Sequence, residues 1–363
     1  MTVSLSPVDH RWMRLALRQA AVSLGATAPN PGVGCVLVRN GQVLGSGRHR
    51  RCGGPHAEPE ALNDCQQRGH DPRGATVYVT LAPCTRHGRT PPCTQALIQA
   101  GVARVVAALA DPLQDDPQAL FSQAGIAYEV GCEAPIAQHI HGGWLKRVTQ
   151  GRPRVTGKWA ASLDGFLGPA AARQQWLSSP SSQAISRRRR SAFDAIVVGA
   201  ETVAVDDCRL LATGSRHPRR VVISARGRLP VRSALVTSMN QAPVWLIHDD
   251  RAAADHLCAL RDLGVGLMPV ADAHDVDQVL QALAAAGCND ILVEGGAQVH
   301  GAMLAAQAYD RLELYQSSLS LGHGRAISNG PQRQQSFVPE IPPRLSGNTV
   351  VSHWLRVDGG GPC

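Results

Sequence analysis

Apolar residues recur at Met13, Ala16, Leu17, Ala20, Ala21 and Leu24. Steps of three and four place them on one face of a helix, so the chain opens with a predicted amphipathic helix. The period then changes. Val33 to Arg39 and Gln42 to Gly47 read as two strands joined at Asn40-Gly41, a pair that tolerates the positive φ of a two-residue hairpin turn. A helix is expected from His56 to about Arg68, with Pro59 in its first turn, where a missing N–H costs little. Ala75 to Leu81 reads as a buried strand, and Pro83-Cys84 as the start of the next helical region. Strands near Arg104 to Leu109 and Ile126 to Val130 continue the alternation.

A boundary falls at Gln150-Gly151-Arg152-Pro153, after which the strand–helix pattern restarts. Strands are expected at Arg154 to Ala161, Ala195 to Val198, Arg220 to Ile223, Val244 to His248, Asp290 to Val293 and Leu312 to Tyr315. Helices are expected at Asp277 to Ala286 and Val299 to Ala306. The reading is an α/β chain of two domains, 1–150 and 151–363. The second half has no Gly-x-Gly-x-x-Gly, so it is not an ordinary dinucleotide-binding Rossmann unit.

Composition narrows the class. A chain of 363 residues can bury about two cores. It has no apolar run long enough to span a membrane, and Met1 to Arg14 lacks the apolar centre of a signal peptide. Ten cysteines are scattered along it without a disulfide-like framework, which suits a reduced, cytoplasmic protein. The formal charge of +8 favours an anionic partner, but only 4% of residues are aromatic. Base-stacking platforms need more, so a phosphorylated small molecule fits better than nucleic acid.

The chemistry concentrates in His56-Ala57-Glu58, Pro83-Cys84 and Cys93. One imidazole and two thiols can hold a zinc ion and leave its fourth position open to water, whose pKa the ion lowers. Glu58, outside the ligand set, is placed to move protons. This is the order of the zinc-deaminase signature, His-x-Glu followed by Pro-Cys-x-x-Cys. Here, however, eight residues, Thr85 to Pro92, separate the cysteines. Two helix N-termini are expected to converge on the metal and to favour thiolate over thiol.

The residues carry a resemblance. Pro29-Asn30-Pro31-Gly32-Val33-Gly34, Pro55-His56-Ala57-Glu58 and the run from Tyr78 to Cys93 resemble the bifunctional deaminase–reductase family of riboflavin biosynthesis. So do Lys158 to Gly165, Gln175-Trp176, Glu201-Thr202-Val203, Asp206-Asp207 and Val293-Glu294-Gly295-Gly296, in the family's order. The resemblance implies a cytidine-deaminase-like domain followed by a dihydrofolate-reductase-like domain. It also implies deamination of a diaminopyrimidine carrying a phosphoribosylamino arm, then NADPH-dependent reduction of the ribosyl group to ribityl. Asn30 matches a pyrimidine contact, and His49, His87 and Arg89 are candidates for ring or phosphate. Ala160, Trp176, Thr202 and Asp206 match cofactor contacts, with Gly295-Gly296 opening a helix where backbone amides can cradle a phosphate. Lys158, Arg190, Leu210 and Glu294 match substrate contacts, whereas Arg187, Arg188 and Arg189 read as a solvated helix face. The expected assembly is a homo-oligomer.

The chain also departs from the family pattern. Ala82 replaces a glutamate before Pro83-Cys84, Arg86 stands where histidine is common, and Asp111 to Asp116 replace an Asp-Pro-Asn-Pro loop. In the second half Gln174 and Ala225 replace serines, and Thr213 falls where the family places an arginine. His141 stands near an expected asparagine. Three readings follow: the full bifunctional enzyme, a deaminase whose reductase half is weakened or changed in substrate, and a nucleic-acid-binding protein with a structural zinc.

Overall fold

The computed structural model describes residues 5–87, 91–169, 176–214, 216–327 and 335–357. It divides into two compact units, Met1–Gln150 and Gly151–Cys363. Arg89 and Gln174 lie outside the described residues.

The first unit is a five-stranded sheet between two helical layers. Its elements run α1 (Pro7–Val22), β1 (Gly34–Arg39), β2 (Gln42–Arg48), α2 (Ala57–Gln67), β3 (Thr76–Val79), α3 (Cys93–Gln99), β4 (Arg104–Ala107), α4 (Gln118–Gln123), β5 (Ala127–Val130) and α5 (Ala134–Gln150). The strand order is β2-β1-β3-β4-β5, with β1 antiparallel to both β2 and β3, and β3, β4 and β5 parallel. Alternation along each strand splits the core. Cys35, Leu37, Val77 and Val105 pack with Ala57, Ala61 and Cys65 of α2, Leu97 of α3 and Phe121 of α4. Val36, Val38, Tyr78 and Val106 pack with Met13, Ala16 and Leu17 of α1 and Trp144 of α5. The hairpin turn has Asn40 at φ 53° and Gly41 at φ 74°, the two positive values that its sequence suggests.

Helix α1 starts from a capping box, Ser6 with Asp9, a device worth about 1 kcal/mol. Asp9 also accepts from Tyr78 Oη and Arg104 Nη1, each at 2.7 Å. Burial opposes its charge, but Arg104 and these donors hold the carboxyl well below the usual range. Helix α2 lies unusually close to β2. A Cβ on Gly47 would sit 2.3 Å from the Ala57 carbonyl and the Ala61 amide, and one on Gly45 2.4 Å from the Ala61 carbonyl. The two glycines set the depth at which α2 delivers its N-terminus.

The second unit is a nine-stranded sheet. Its elements are β6 (Arg154–Ala161), α6 (Pro180–Arg189), β7 (Ala195–Gly199), α7 (Ala200–Asp206), β8 (Arg219–Ile223), α8 (Ala234–Thr237), β9 (Val244–His248), α9 (Ala254–Asp262), β10 (Gly266–Pro269), α10 (Val276–Ala285), β11 (Asp290–Gly295), α11 (Ala297–Ala305), β12 (Arg311–Ser317), β13 (Ser336–Ser346) and β14 (Thr349–Val357). The order is β10-β9-β8-β7-β11-β6-β12-β14-β13. All neighbours from β10 through β12 are parallel, and β14 and β13 add an antiparallel hairpin. The near-continuous apolar runs of β7, β8 and β11 follow from burial on both faces, against separate clusters around α10 and around Leu229, Leu235 and Leu260. Arg220 is fully buried. Its guanidinium donates to the carbonyls of Arg209, Leu235, Ser238 and Ala242, which fixes the loop carrying Leu210.

One expected element is corrected. Pro83-Cys84 does not begin a helix; residues 82–87 are non-helical, and the helix starts at Cys93. Three strands, β10, β13 and β14, are additions to the sequence reading. No helix of the described residues is long and apolar enough to cross a membrane. All nine cysteines of the described residues are free thiols.

Candidate functional site

Three ligand atoms converge in the first unit. Those of His56, Cys84 and Cys93 lie within 4.8 Å of one another. His56 Nδ1 is 3.3 Å from Cys93 Sγ and 3.7 Å from Cys84 Sγ. His56 is the residue before α2, Cys93 is the first residue of α3, and Cys84 sits on the extended segment after β3. Two helix N-termini do meet at the cluster, the second contributed by Cys93. The Cys93 amide donates to Cys84 Sγ at 3.2 Å, and Thr94 Oγ1 to the Cys84 carbonyl at 3.1 Å. The Cys93 side chain, followed by His56 and this amide, holds the Cys84 thiol well below the usual thiol range against the effect of burial. The same pairing, together with burial, pushes the Cys93 thiol up. Two sulfurs and an imidazole nitrogen, with no fourth protein ligand in the cluster among the described residues, fit a zinc site that keeps one position open.

Glu58, the second residue of α2, is 3% exposed. Burial pushes its carboxyl up to about 7. The structure places His49 inside the protein, with both ring nitrogens engaged. Its Nδ1 lies 2.8 Å from the Pro55 carbonyl and its Nε2 3.3 Å from Asn30 Nδ2, so we assign the proton to Nδ1. The ring stands edge-to-face on His56 with centroids 5.7 Å apart, and burial lowers its pKa. His49 therefore supports Asn30 and His56. His87 is exposed at the end of a described segment. Two of the departures meet each other: Arg86 pairs with Asp115 at 3.1 Å, beside Thr85 and Gln114.

In the second unit a cavity of about 430 Å³ is lined by Lys158, Ala160, Trp176, Thr202 and Asp206, and by Arg190, Leu210, Glu294 and Gly296. Trp176 is 64% exposed, which rules out a core role in this structure. Gly295 and Gly296 have φ +154° and +87°, values that side-chain-bearing residues rarely adopt, and Gly296 caps α11. Arg190 donates Nε and Nη2 to Glu294, both at 2.7 Å, and Nη1 to the Leu211 carbonyl at 2.9 Å. Burial opposes the charge on Glu294, but Arg190 and then Lys158 hold the carboxyl down to about 2. Burial lowers the pKa of Lys158. Arg190 thus positions Glu294 in this structure. Arg189 is exposed like Arg187 and Arg188, as expected of a solvated face, but its guanidinium reaches a partner the sequence did not show, Glu313, which is 3% exposed.

A second cavity of about 420 Å³ shares Glu201, Thr202, Gly296 and Gln298 with the first. Its wall includes Ala225, Arg226 and Arg228, just beyond the C-terminal end of β8. Sequence reasoning passed over Arg226-Gly227-Arg228. Their place after a parallel strand, where open α/β sheets bind ligands, was the available signal. Thr213 is exposed, and its amide donates to the Arg187 carbonyl at 3.3 Å.

These features define a two-part molecule: a deaminase-type His/Cys/Cys site in one unit, and an α/β unit with a charged two-chamber cleft in the other. Residues 6–109 match the cytidine and deoxycytidylate deaminase zinc-binding region, and residues 153–350 match the RibD C-terminal domain. The chain is 35% identical over 336 residues to riboflavin biosynthesis protein RibD of Escherichia coli, covering 86% of this chain and 89% of that protein. The solved structure of Acinetobacter baumannii RibD aligns with TM-score 0.85 and 31% identity over 97% of this chain and 99% of that one. The diaminohydroxyphosphoribosylaminopyrimidine deaminase/5-amino-6-(5-phosphoribosylamino)uracil reductase of Thermotoga maritima aligns with TM-score 0.84 and 26% identity, over 96% of this chain and 99% of that one. The chain belongs to the RibD family of bifunctional riboflavin-biosynthesis deaminase–reductases.

Proposed function

We propose that the chain hydrolytically deaminates 2,5-diamino-6-(5-phosphoribosylamino)pyrimidin-4(3H)-one to 5-amino-6-(5-phosphoribosylamino)uracil, then reduces the ribosyl group to ribityl with NADPH. The observation that carries the first step is the convergence of His56, Cys84 and Cys93 near a buried Glu58. His56 Nδ1 and the two sulfurs would hold zinc, which when bound makes water acidic enough to react near neutrality. Glu58 takes a proton from the attacking water and passes it to the departing amino group. The C–O bond forms, the C–N bond breaks and ammonia leaves. A buried carboxyl beside the ligand cluster, whose charge burial disfavours, suits both halves of that transfer. Asn30 orients the pyrimidine edge, and His49 holds the Asn30 amide.

For the second step, NADPH supplies the hydride. The two adjoining cavities suit the two halves of a dinucleotide: Ala160, Trp176, Thr202 and Asp206 on the nicotinamide side, and Arg226 and Arg228 facing the phosphorylated ribose. Lys158 and Glu294 bind the ribosyl hydroxyls, with Glu294 oriented by Arg190. The free thiols suit a reducing cytoplasm, and a homo-oligomer is the expected assembly. The test supplies the diaminopyrimidine phosphoriboside with zinc and NADPH and follows ammonia release and NADPH oxidation separately. Both should proceed. Ammonia without NADPH oxidation would reject the second step, and neither would reject both.

A further inference from the structure

Lys158 is the centre of a row of charged groups laid across three adjacent parallel strands. Glu313 of β12 is its direct register partner. On the other side Val293 of β11 pairs with Gly157, which brings Glu294 to the level of Lys158. Partners at one level of a pleated sheet share a face. Both carboxylates are buried, with side chains 6% exposed for Glu294 and 3% for Glu313. Two consecutive arginines at the end of α6 clamp them. Arg190 takes Glu294, while Arg189 donates Nε to both oxygens of Glu313 at 2.9 Å, with Nη2 closing the pair. The Lys158 ammonium lies 5.2 Å over the ring of Tyr315, two residues along β12 from Glu313.

Glu313 is 3% exposed while its partner Arg189 is 43% exposed, and burying a carboxylate is a poor source of stability, because desolvation offsets the attraction and an apolar residue of similar volume serves a fold at least as well. The charge on Glu313 therefore calls for another role. The geometry points to Arg189–Glu313 as a positioning pair for Lys158, steering its ammonium from the β12 side as Arg190–Glu294 does from the β11 side. Each carboxylate is already satisfied by its arginine, so Lys158 is directed by both and its charge remains for the substrate. The inference rests on the assignment of Lys158 to the reductase site.

The test compares full-length wild type with Glu313→Gln, the double variant Arg189→Leu/Glu313→Leu, and Lys158→Met. NADPH affinity, melting, and KM and kcat for reduction of the deaminated intermediate are measured for each. Glu313→Gln and the double variant should bind NADPH like wild type and keep KM within about threefold. Their kcat should fall about ten- to a hundredfold, the scale of a substrate-orienting group displaced by an ångström or less. The double variant separates the roles, because it replaces the buried carboxylate and its guanidinium together with apolar side chains that can pack against each other. If it restores both melting and kcat to wild-type values, the pair serves only the fold and the inference is overturned. Unchanged kcat in Glu313→Gln, or losses confined to NADPH affinity and melting, overturns it equally. Normal reduction by Lys158→Met instead rejects the assignment on which it rests.

Discussion

Glu58 has the environment of a proton carrier: it is 3% exposed, on the first turn of α2, and raised by burial. Glu58→Gln preserves shape and removes the proton cycle. Zinc content, read by atomic absorption, should stay near one per chain while ammonia release falls at least about 10²–10⁴-fold. A variant that deaminates normally assigns the proton transfer elsewhere. At the other site, Arg226 and Arg228 have no acidic partner among the described residues. Charge-assisted hydrogen bonds are worth roughly 1.5–3 kcal/mol, so Arg226→Ala or Arg228→Ala should weaken NADPH binding about ten- to a hundredfold and leave NADH binding nearly unchanged. Titration of both dinucleotides checks this, and equal losses for the two would remove the phosphate from the account. The zinc ligands and Glu58 are legible in sequence because motif order and local spacing carry them. Arg189 is not, since in the run Arg187 to Arg190 only the tertiary fold decides which guanidinium meets a buried carboxylate.

Helix α2 brings His56 and Glu58 to the metal cluster only because β2 lets it approach. Gly47 has no room for a methyl group: its Cβ would meet backbone atoms of Ala57 and Ala61 at 2.3 Å, and backbone cannot move aside as a side chain can. Gly47→Ala should shift the start of α2, and with it His56, costing about 1–3 kcal/mol as overpacking typically does. Zinc content and ammonia release should fall together while NADPH binding persists. Full zinc loading in this variant would mean that α2 is less tightly set than the contact implies. At this scale the sequence was readable wherever one period dominated. The hairpin at Asn40-Gly41, α1, and the apolar strands β6, β7 and β9 all lie where their patterns place them. The pattern misled at Pro83-Cys84, where a proline before a polar run resembles a helix start. There Cys84 is held instead by the Cys93 amide and Thr94, contacts with no local signature. Strand β13 was hidden by Pro339, Pro342 and Pro343, residues that a sheet accepts only at an edge. Its partner β14 and the short edge strand β10 become strands through their neighbours in the sheet.

The whole molecule carries two chemistries on two sheets, each with its own core clusters. The metal ligands lie within residues 56–93 and the cleft residues within 158–326. Among the described residues none belongs to both sets, so loss of one site should leave the other working. Metal removal is the direct test. Dialysis against a strong zinc chelator should abolish ammonia release, because His56, Cys84 and Cys93 then hold no ion and water loses its activation. The same sample, given the deaminated intermediate and NADPH, should reduce it at a rate within about twofold of the untreated enzyme. Adding back zinc should restore ammonia release, and Cys84→Ala or Cys93→Ala should reproduce the chelated state without recovery, since neither can rebuild the ligand set. A parallel fall in reduction after chelation, reversed by zinc, would show that the metal supports the second unit as well. Separate active sites on one chain would then have to be replaced by a coupled pair.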